Sequence, residues 1–506
     1  MPRWGWWFLA FVMVARLVVA ALFPIMPEEA YHWNFGRHLD WSYFDHPPLI
    51  AWSIELGCTL LGDCALGVRL VPVLFSLGTA LLIARMAGRF YGPKAAAWSL
   101  LLLALEPGVF TVGSWGFPDA PLLFFWTLAM TCAWEALRSR RRGWWLAAGA
   151  AMGAAMLAKY TAAFLVLSLL AYLATSRRQR RWFATPWPYL TTAVALVVFS
   201  PVLYWNATHG WVSFRFQGAD RFSAIVGVGV RLALRSLTEQ WLMILPLTLP
   251  LGVAAGVWLC RSHRPKERFL FWTFAPTWLF FAAMGWTTSF HLLWPLPAYL
   301  GLTVAMAGLA VRPLGAVSRA YAGWSRWLVG WASLALLIAS LYAARLLPGV
   351  PPVRGPYGWD EVAERVRQEW QQLPEGSFLI GFSHPSYRCA SELAYHLGAP
   401  EQVYGNNLLG EEGLQYQFWS DPEQLAGRDA LVVISGIMDE PTQILLERRF
   451  ASVESAGEIV VTDGSNPREL VHCVLYRAHG YIPEARQGSL FSCCKTAARL
   501  PGIPVK

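Results

Sequence analysis

The stretch RSRRRGWWLAAGAAMGAAMLAKYTAAFLVLSLLAYLATSRRQRR, residues 138–181, decides how this chain is built. Between its two arginine clusters lie the 31 residues 144–174, among which Lys159 alone is charged. As one helix they would run roughly 46 Å at ~1.5 Å per residue. That is too long for one crossing of a ~30 Å hydrocarbon core. Arginine clusters stay on the cytoplasmic side of a bilayer, so both ends belong to one side. The segment is therefore expected to go out and come back as two short helices that turn near Lys159.

The composition agrees with a membrane protein. Of 506 residues, 56% are hydrophobic and 14% are charged, against ~25% charged in an ordinary soluble domain. The 28 Trp and 28 Phe suit membrane interfaces. Net charge is +9, but the basic residues sit in short clusters between apolar runs. This is the pattern of cytoplasmic loops rather than of a nucleic-acid surface, and no nucleic-acid partner is expected. Eight Cys show no CxxC pair and no metal-ligand spacing. Cys58 and Cys64 are close enough to bridge outside the cytoplasm, and equally readable as unlinked small residues.

The first apolar run, Trp4 to Phe23, is long enough to span and has no small-residue cleavage site behind it, so it reads as a retained helix. Further runs cover about 66–84, 95–113, 120–137, 187–205, 233–259, 269–286, 293–311 and 327–347. Segment 49–62 is short and carries Glu55, which suggests an interfacial or re-entrant helix. Counting 49–62 as a span would put every later basic cluster on the wrong side. The expected fold class is thus an α-helical polytopic membrane protein of about eleven transmembrane helices, over residues 1–347. Its N-terminus is expected inside and its C-terminus outside, with residue 140 cytoplasmic and residue 430 extracytoplasmic.

After the Pro/Gly-rich linker 348–358, residues 359–482 read as a small extracytoplasmic α/β domain, followed by a polar tail, 483–506. Residues 359–372 have helical spacing, and 377–382, 430–435 and 458–462 look like short buried strands, with a helix suggested at 440–450. The domain has no phosphate loop and no nucleophile elbow. It reads as an accessory domain, or as one that covers the site or helps hold the acceptor.

Ionisable residues are sparse, so their placement carries information. The first external loop, PEEAYHWNFGRHLDWSYFDHPPL (27–49), holds Glu28, Glu29, Asp40 and Asp45 with three His among many aromatics. Paired carboxylates directly after a spanning helix are functional candidates, although a wet interfacial loop would account for the aromatics. The second external loop carries Asp119 at the start of a helix, where an N-cap role is the plain alternative. Lys159 either snorkels or binds an anion. His46, Arg215 and His291 add further donors on the same face, and Arg221 lies nearby. Acids there suit a general base, and cations suit a phosphate leaving group. Asn206-Ala-Thr208 is a glycosylation sequon by pattern only.

Six motifs in this order carry a family resemblance: EEAYHW (28–33), HLDWSYFDHPPLIAW (38–52), PDAPLLFFW (118–126), LAKYTA (157–162), SPVLYWNATHGWVSFRFQ (200–217) and HLLWPLPAYLGL (291–302). Over most of its membrane half the chain resembles the GT-C-fold glycosyltransferases, the superfamily of protein O-mannosyltransferases and of bacterial lipid A aminoarabinose and galacturonic-acid transferases. The resemblance implies a multi-pass enzyme of the bacterial inner membrane, acting outside the cytoplasm. It would take a hexosyl or pentosyl group from a polyprenyl-phosphate-linked sugar, with inversion, to lipid A, another glycan or a protein. The family's acid pair falls on Glu28, where Asp is usual, and Glu29; its second-loop acid falls on Asp119. Its acid–base–Pro–Pro turn falls on Asp45, His46, Pro47 and Pro48, and members with Lys at the His46 position use it on phosphate. Catalytic roles are thus expected for Glu28, Glu29 and Asp119, and substrate binding for Asp45, His46, Lys159, Arg215 and His291. Glu28, Glu29 and Asp119 would also suit a divalent cation. The alternative readings are a transporter or flippase of lipid-linked sugars, which would carry its charges near the bilayer midplane, and a non-catalytic scaffold.

Overall fold

Long apolar runs rich in Ala and Leu become helices, because only a helix satisfies its own backbone in lipid. The computed structural model describes residues 1–139, 141–220, 229–244, 248–286, 293–312, 327, 330–342, 345–346, 355–436, 440–463 and 469–483. His291, Arg221, Cys493, Cys494 and nearly all of the polar tail fall outside them. Among the described residues four helices are long and apolar enough to cross a membrane: α1 (Arg3–Leu22), α4 (Ala65–Tyr91), α7 (Asp119–Arg138) and α10 (Trp187–Thr208). Shorter apolar helices include α3 (Leu49–Leu61), α5 (Pro93–Ala104), α8 (Gly143–Ala158), Leu249–Arg261, Leu296–Ala310 and Gly330–Tyr342.

The 144–174 segment breaks where its lysine predicts. Helix α8 ends at Ala158, Lys159 is extended, a 3₁₀ turn covers Tyr160–Ala162, and α9 (Ala163–Thr175) runs on from there. Two other runs are less continuous than their composition suggests. Run 233–259 is two helices, Val230–Ile244 and Leu249–Arg261. Run 95–113 breaks at Glu106 between α5 and α6 (Pro107–Val112), since the residue before a proline leaves the helical region.

Helices α8 and α10 pack backbone to backbone across Gly149 and Gly153, a small-xxx-small pair. A Cβ on Gly149 would stand 2.4 Å from the Thr191 carbonyl oxygen, and one on Gly153 2.6 Å from that of Ala195. Thr191 Oγ1 also donates to the Trp145 carbonyl at 3.0 Å.

The chain forms two compact units: Met1–Phe23 with Leu39–Pro348, and Pro24–His38 with Gly349–Lys506. The second therefore takes in a piece of the first external loop, which the sequence reading had left with residues 1–347. Its sheet has the order β2-β1-β3-β5-β4, from β1 (Phe378–Phe382), β2 (Val403–Tyr404), β3 (Ala430–Ser435), β4 (Phe450–Thr462) and β5 (Glu469–Tyr481). β1 pairs in parallel with β2 and β3, while β5 is antiparallel to β3 and β4. The wholly buried β1 and most of β3 read as continuous apolar runs, as parallel strands do.

The α8–α10 contact yields a first prediction. Gly153→Ala or Gly149→Ala pushes a methyl group into a backbone carbonyl and is expected to cost about 1–3 kcal/mol. Gly143→Ala, in open space, should be neutral. Thermal midpoints of the purified variants, read by size-exclusion chromatography, check this.

Candidate active site

In the membrane unit the Asp45-His46-Pro47-Pro48 turn leads directly into α3, with Pro48 at its N-cap. The turn closes through the Tyr43 amide, which donates to the His46 carbonyl at 3.1 Å. His46 Nδ1 stands 3.2 Å from Asp45 Oδ2. Behind it the segment after α10 holds the loop in place. Ser213 Oγ donates to the Tyr43 carbonyl at 3.0 Å, and Gln217 Nε2 to the Asp45 carbonyl at 2.6 Å. Phe44 and Phe216 rings meet at 4.7 Å. Asp40 accepts the Trp205 indole N–H at 2.7 Å, and its carbonyl accepts that of Trp52 at 3.2 Å.

Asp119 and Lys159 meet in the same unit. Asp119 is the first residue of α7, after an N-cap at Pro118. Its carboxylate does not cap its own helix, as the plain reading of the sequence would have it. Both oxygens accept from Lys159 Nζ, at 2.8 and 2.9 Å. The pair is nearly buried, with 5% and 13% of the two side chains exposed. Lys159 thus neither snorkels nor stands alone. It reaches Asp119 because α8 ends one residue earlier, at the break.

Tyr160, next along, links this pair to the loops. Its hydroxyl lies among Ser42, Asn206 and Ser213 and within electrostatic reach of Asp45. The structure therefore pairs Asp119 with Lys159 and sets His46 against Asp45, with the Tyr160 hydroxyl near Asp45. Arg215 is exposed at the end of the short helix Val212–Arg215. Tyr160, Ser213 and Gln217 were not singled out by charge or spacing, and Asp40 and Asn206 were noted without a part in the site. Their one signal is that each sits inside a motif that carries the family resemblance.

In the other unit Glu28 and Glu29 open α2 (Pro27–Arg37). Glu29 is fully buried and its Oε2 accepts the Met26 amide at 3.0 Å, so it satisfies one of the loose N–H groups of its own helix. Glu28 is half-buried, with the Tyr387 hydroxyl 3.5 Å from its Oε1. α2 is clamped by the C-terminal chain. Tyr31 stacks on Tyr387 at 4.7 Å, Trp33 meets Tyr395 edge-on, and His38 stacks on Trp419 at 4.4 Å. Asn34 Nδ2 donates to the Tyr416 hydroxyl, and the Gln415 amide to the Tyr31 hydroxyl. Nothing in the local sequence announces this clamp.

Beneath α2 lies helix Arg388–Leu397, whose Glu392 is fully buried. His396 Nε2 is 3.4 Å from a Glu392 oxygen, but neither carboxylate oxygen makes a well-aligned hydrogen bond among the described residues. Burial pushes this carboxyl up to about 7; His396 and Arg388 oppose the shift and Glu29 adds to it. Among the described residues no three His, Cys, Asp or Glu side chains gather into a metal-binding group. Cys58 and Cys64 do not bridge to each other, and Cys64 Sγ caps α4 by accepting the Gly67 amide.

Two predictions follow from these pairs. Asp119→Asn or Lys159→Met leaves a buried charge alone and should cost about 3–5 kcal/mol. The double variant should lose clearly less than the sum, which a thermal-stability double-mutant cycle measures. The Glu392 carboxyl holds its proton in the fold up to about pH 7, while an unfolded Glu loses it near ~4.3. The stability this brings is complete below that lower pKa and is lost as pH rises toward 7. The loss is on the order of 3 kcal/mol. The stability difference between wild type and Glu392→Gln, followed from pH 4 to 8, should fall across that window and then level.

Comparison with known proteins matches residues 45–205 to the dolichyl-phosphate-mannose-protein mannosyltransferase family. A lipid A galacturonosyltransferase from Rhizobium johnstonii is 27% identical over 283 residues, covering 55% of this chain and 59% of the relative. An undecaprenyl phosphate-α-4-amino-4-deoxy-L-arabinose arabinosyl transferase from Edwardsiella ictaluri is 29% identical over 198 residues, covering 35% and 36%. The chain thus spans between about a third and three fifths of these relatives' lengths. Among solved structures, ArnT from Cupriavidus metallidurans bound to undecaprenyl phosphate superposes with a TM-score of 0.66 at 17% identity, over 94% of this chain and 98% of that one. The family resemblance read from the six motifs is borne out: the chain has the GT-C fold of the polyprenyl-phosphate-sugar glycosyltransferases, and its residues 45–205 carry the sequence pattern of the mannosyltransferase family.

Proposed function

We propose that this chain is an integral-membrane glycosyltransferase that moves a sugar from a polyprenyl-phosphate donor to an extracytoplasmic lipid, glycan or protein acceptor, with inversion. The observation that carries the reading is the buried Lys159–Asp119 pair at the broken helix. A lysine ammonium has three N–H donors. Asp119 holds it by two contacts, which keeps it aimed and leaves it able to donate to a phosphate oxygen. The donor phosphodiester gains negative charge as the sugar departs, and a donor fixed in advance stabilises that growth. His46 and Arg215 would add donors at the same phosphate. Asp119 is then a positioning residue for Lys159.

Glu28 is assigned the general base that takes the acceptor hydroxyl proton, or, when the acceptor is itself a phosphate, the group that positions the sugar. Glu29 supports it by fixing the start of α2. The relatives' names and the shared fold favour transfer over the alternative, transport of a lipid-linked sugar. The unit of Pro24–His38 with Gly349–Lys506 is taken to lie outside the cytoplasm of a bacterial cell, with the arginine clusters inside.

Four measurements test the reading. Purified chain in nanodiscs with a labelled polyprenyl-phosphate sugar should release free polyprenyl phosphate; movement of the donor across the bilayer without release supports transport instead. Lys159→Ala should lower turnover by ~10²-fold or more, and activity within about threefold of wild type would remove its role. Glu28→Gln should abolish most turnover at unchanged donor affinity, while Glu28→Asp retains it. For orientation, Ala430 is fully buried, so cysteines at the exposed Glu423 and Arg141 are the better reporters. In a background lacking Cys64, Cys260, Cys493 and Cys494, an impermeant reagent should label the first and spare the second.

A further inference from the structure

Within the C-terminal unit, beside the edge strand β2, lies a cavity of about 280 Å³. That is near the lower end for ligand pockets, ~300 Å³. It is lined by His38, Glu401, Tyr404, Trp419, Gln424 and Arg428. The polar groups are held in place. Arg428 Nε donates to the Gly376 carbonyl at 2.6 Å, with its guanidinium 5.7 Å over the Phe378 ring. Gln424 Nε2 donates to Asp421, which also lines the cavity, at 3.0 Å, so its amide oxygen remains an acceptor. His38 lies flat on the Trp419 indole and 3.5 Å from Glu401.

The chemistry of this lining selects among ligand classes. An apolar ligand would strip water from Arg428, Glu401 and Asp421 without replacing their hydrogen bonds. A phosphate would meet two carboxylates for one arginine. A pyranose matches the polar lining: its hydroxyls donate to Glu401 and accept from Arg428. We propose that this cavity binds a sugar residue, and, resting on the transfer reading above, that the residue belongs to the acceptor glycan. Lying in the unit that holds α2, it would give the C-terminal unit a part in choosing the acceptor.

Saturation-transfer NMR tests this on the full chain in nanodiscs, free of glycoside detergents that would compete. The probes are methyl β-D-glucopyranoside, methyl α-D-mannopyranoside and N-acetylglucosamine, with inorganic phosphate as the contrasting ligand. At least one pyranoside should give a saturable signal. Glu401→Ala with Gln424→Ala, both at exposed positions, should weaken it tenfold or more without moving the thermal midpoint. No signal from any sugar, an unchanged affinity in the double variant, or saturation by phosphate instead would overturn the proposal. Release of polyprenyl phosphate from a labelled donor is followed in the same preparation. Release without sugar binding removes the cavity's role and leaves the transfer reading intact; sugar binding without release does the reverse and removes the assignment to an acceptor.

Discussion

A helix that ends within a bilayer leaves carbonyl and amide groups without water to meet them. In the membrane unit these ends are met by buried or half-buried side chains from other segments. Arg69 on α4 donates to the carbonyls of Ala20 and Phe23 at the end of α1. Arg16, inside α1, donates to those of Val109 and Phe110 in α6. Lys266 reaches the Phe90 carbonyl at the end of α4. At the α5–α6 break, the buried Glu106 accepts from Thr303 at 2.8 Å. The Lys159–Asp119 pair is another member of this set, with the difference that its acceptor is a carboxylate. In the proposed reaction the same pair would supply a fixed charge at the donor phosphate.

The second constraint concerns α2. It carries the two glutamates on a helix of eleven residues, too short to be stable alone in water. Its order comes from Tyr387, Tyr395, Tyr416 and Trp419, whose rings and hydroxyls close on Tyr31, Trp33, Asn34 and His38. The C-terminal unit therefore brings no nucleophile elbow or phosphate loop of its own, yet it shapes the backbone from which Glu28 projects.

Much of the membrane unit was legible in the sequence because lipid simplifies the code. Length, arginine clusters and the lone Lys159 together give two helices that part at Lys159. The broken run 233–259 was not legible, since it holds enough apolar residues for one span and its interruption depends on packing. Asp119 and Lys159 were visible as rare charges, but their pairing across forty positions was not. Gln217, Ser213 and Tyr160 act through neutral hydrogen bonds, which leave no mark in composition. The clamp on α2 joins Tyr31 to residues more than 350 positions away, and no local pattern records such a contact. β5 escaped notice because His472, Arg477 and His479 interrupt its apolar alternation.

The separation between α2 and its clamp has a consequence for synthesis. Tyr31 leaves the ribosome 356 residues before Tyr387. At ~5–20 residues per second that is roughly 20 to 70 s. Throughout that interval Tyr31, Trp33 and Phe35, all buried in the finished unit, have none of their C-terminal partners. The segment bearing both glutamates thus acquires its final form only after residues 387–419 have been made, long after the helices on either side of it.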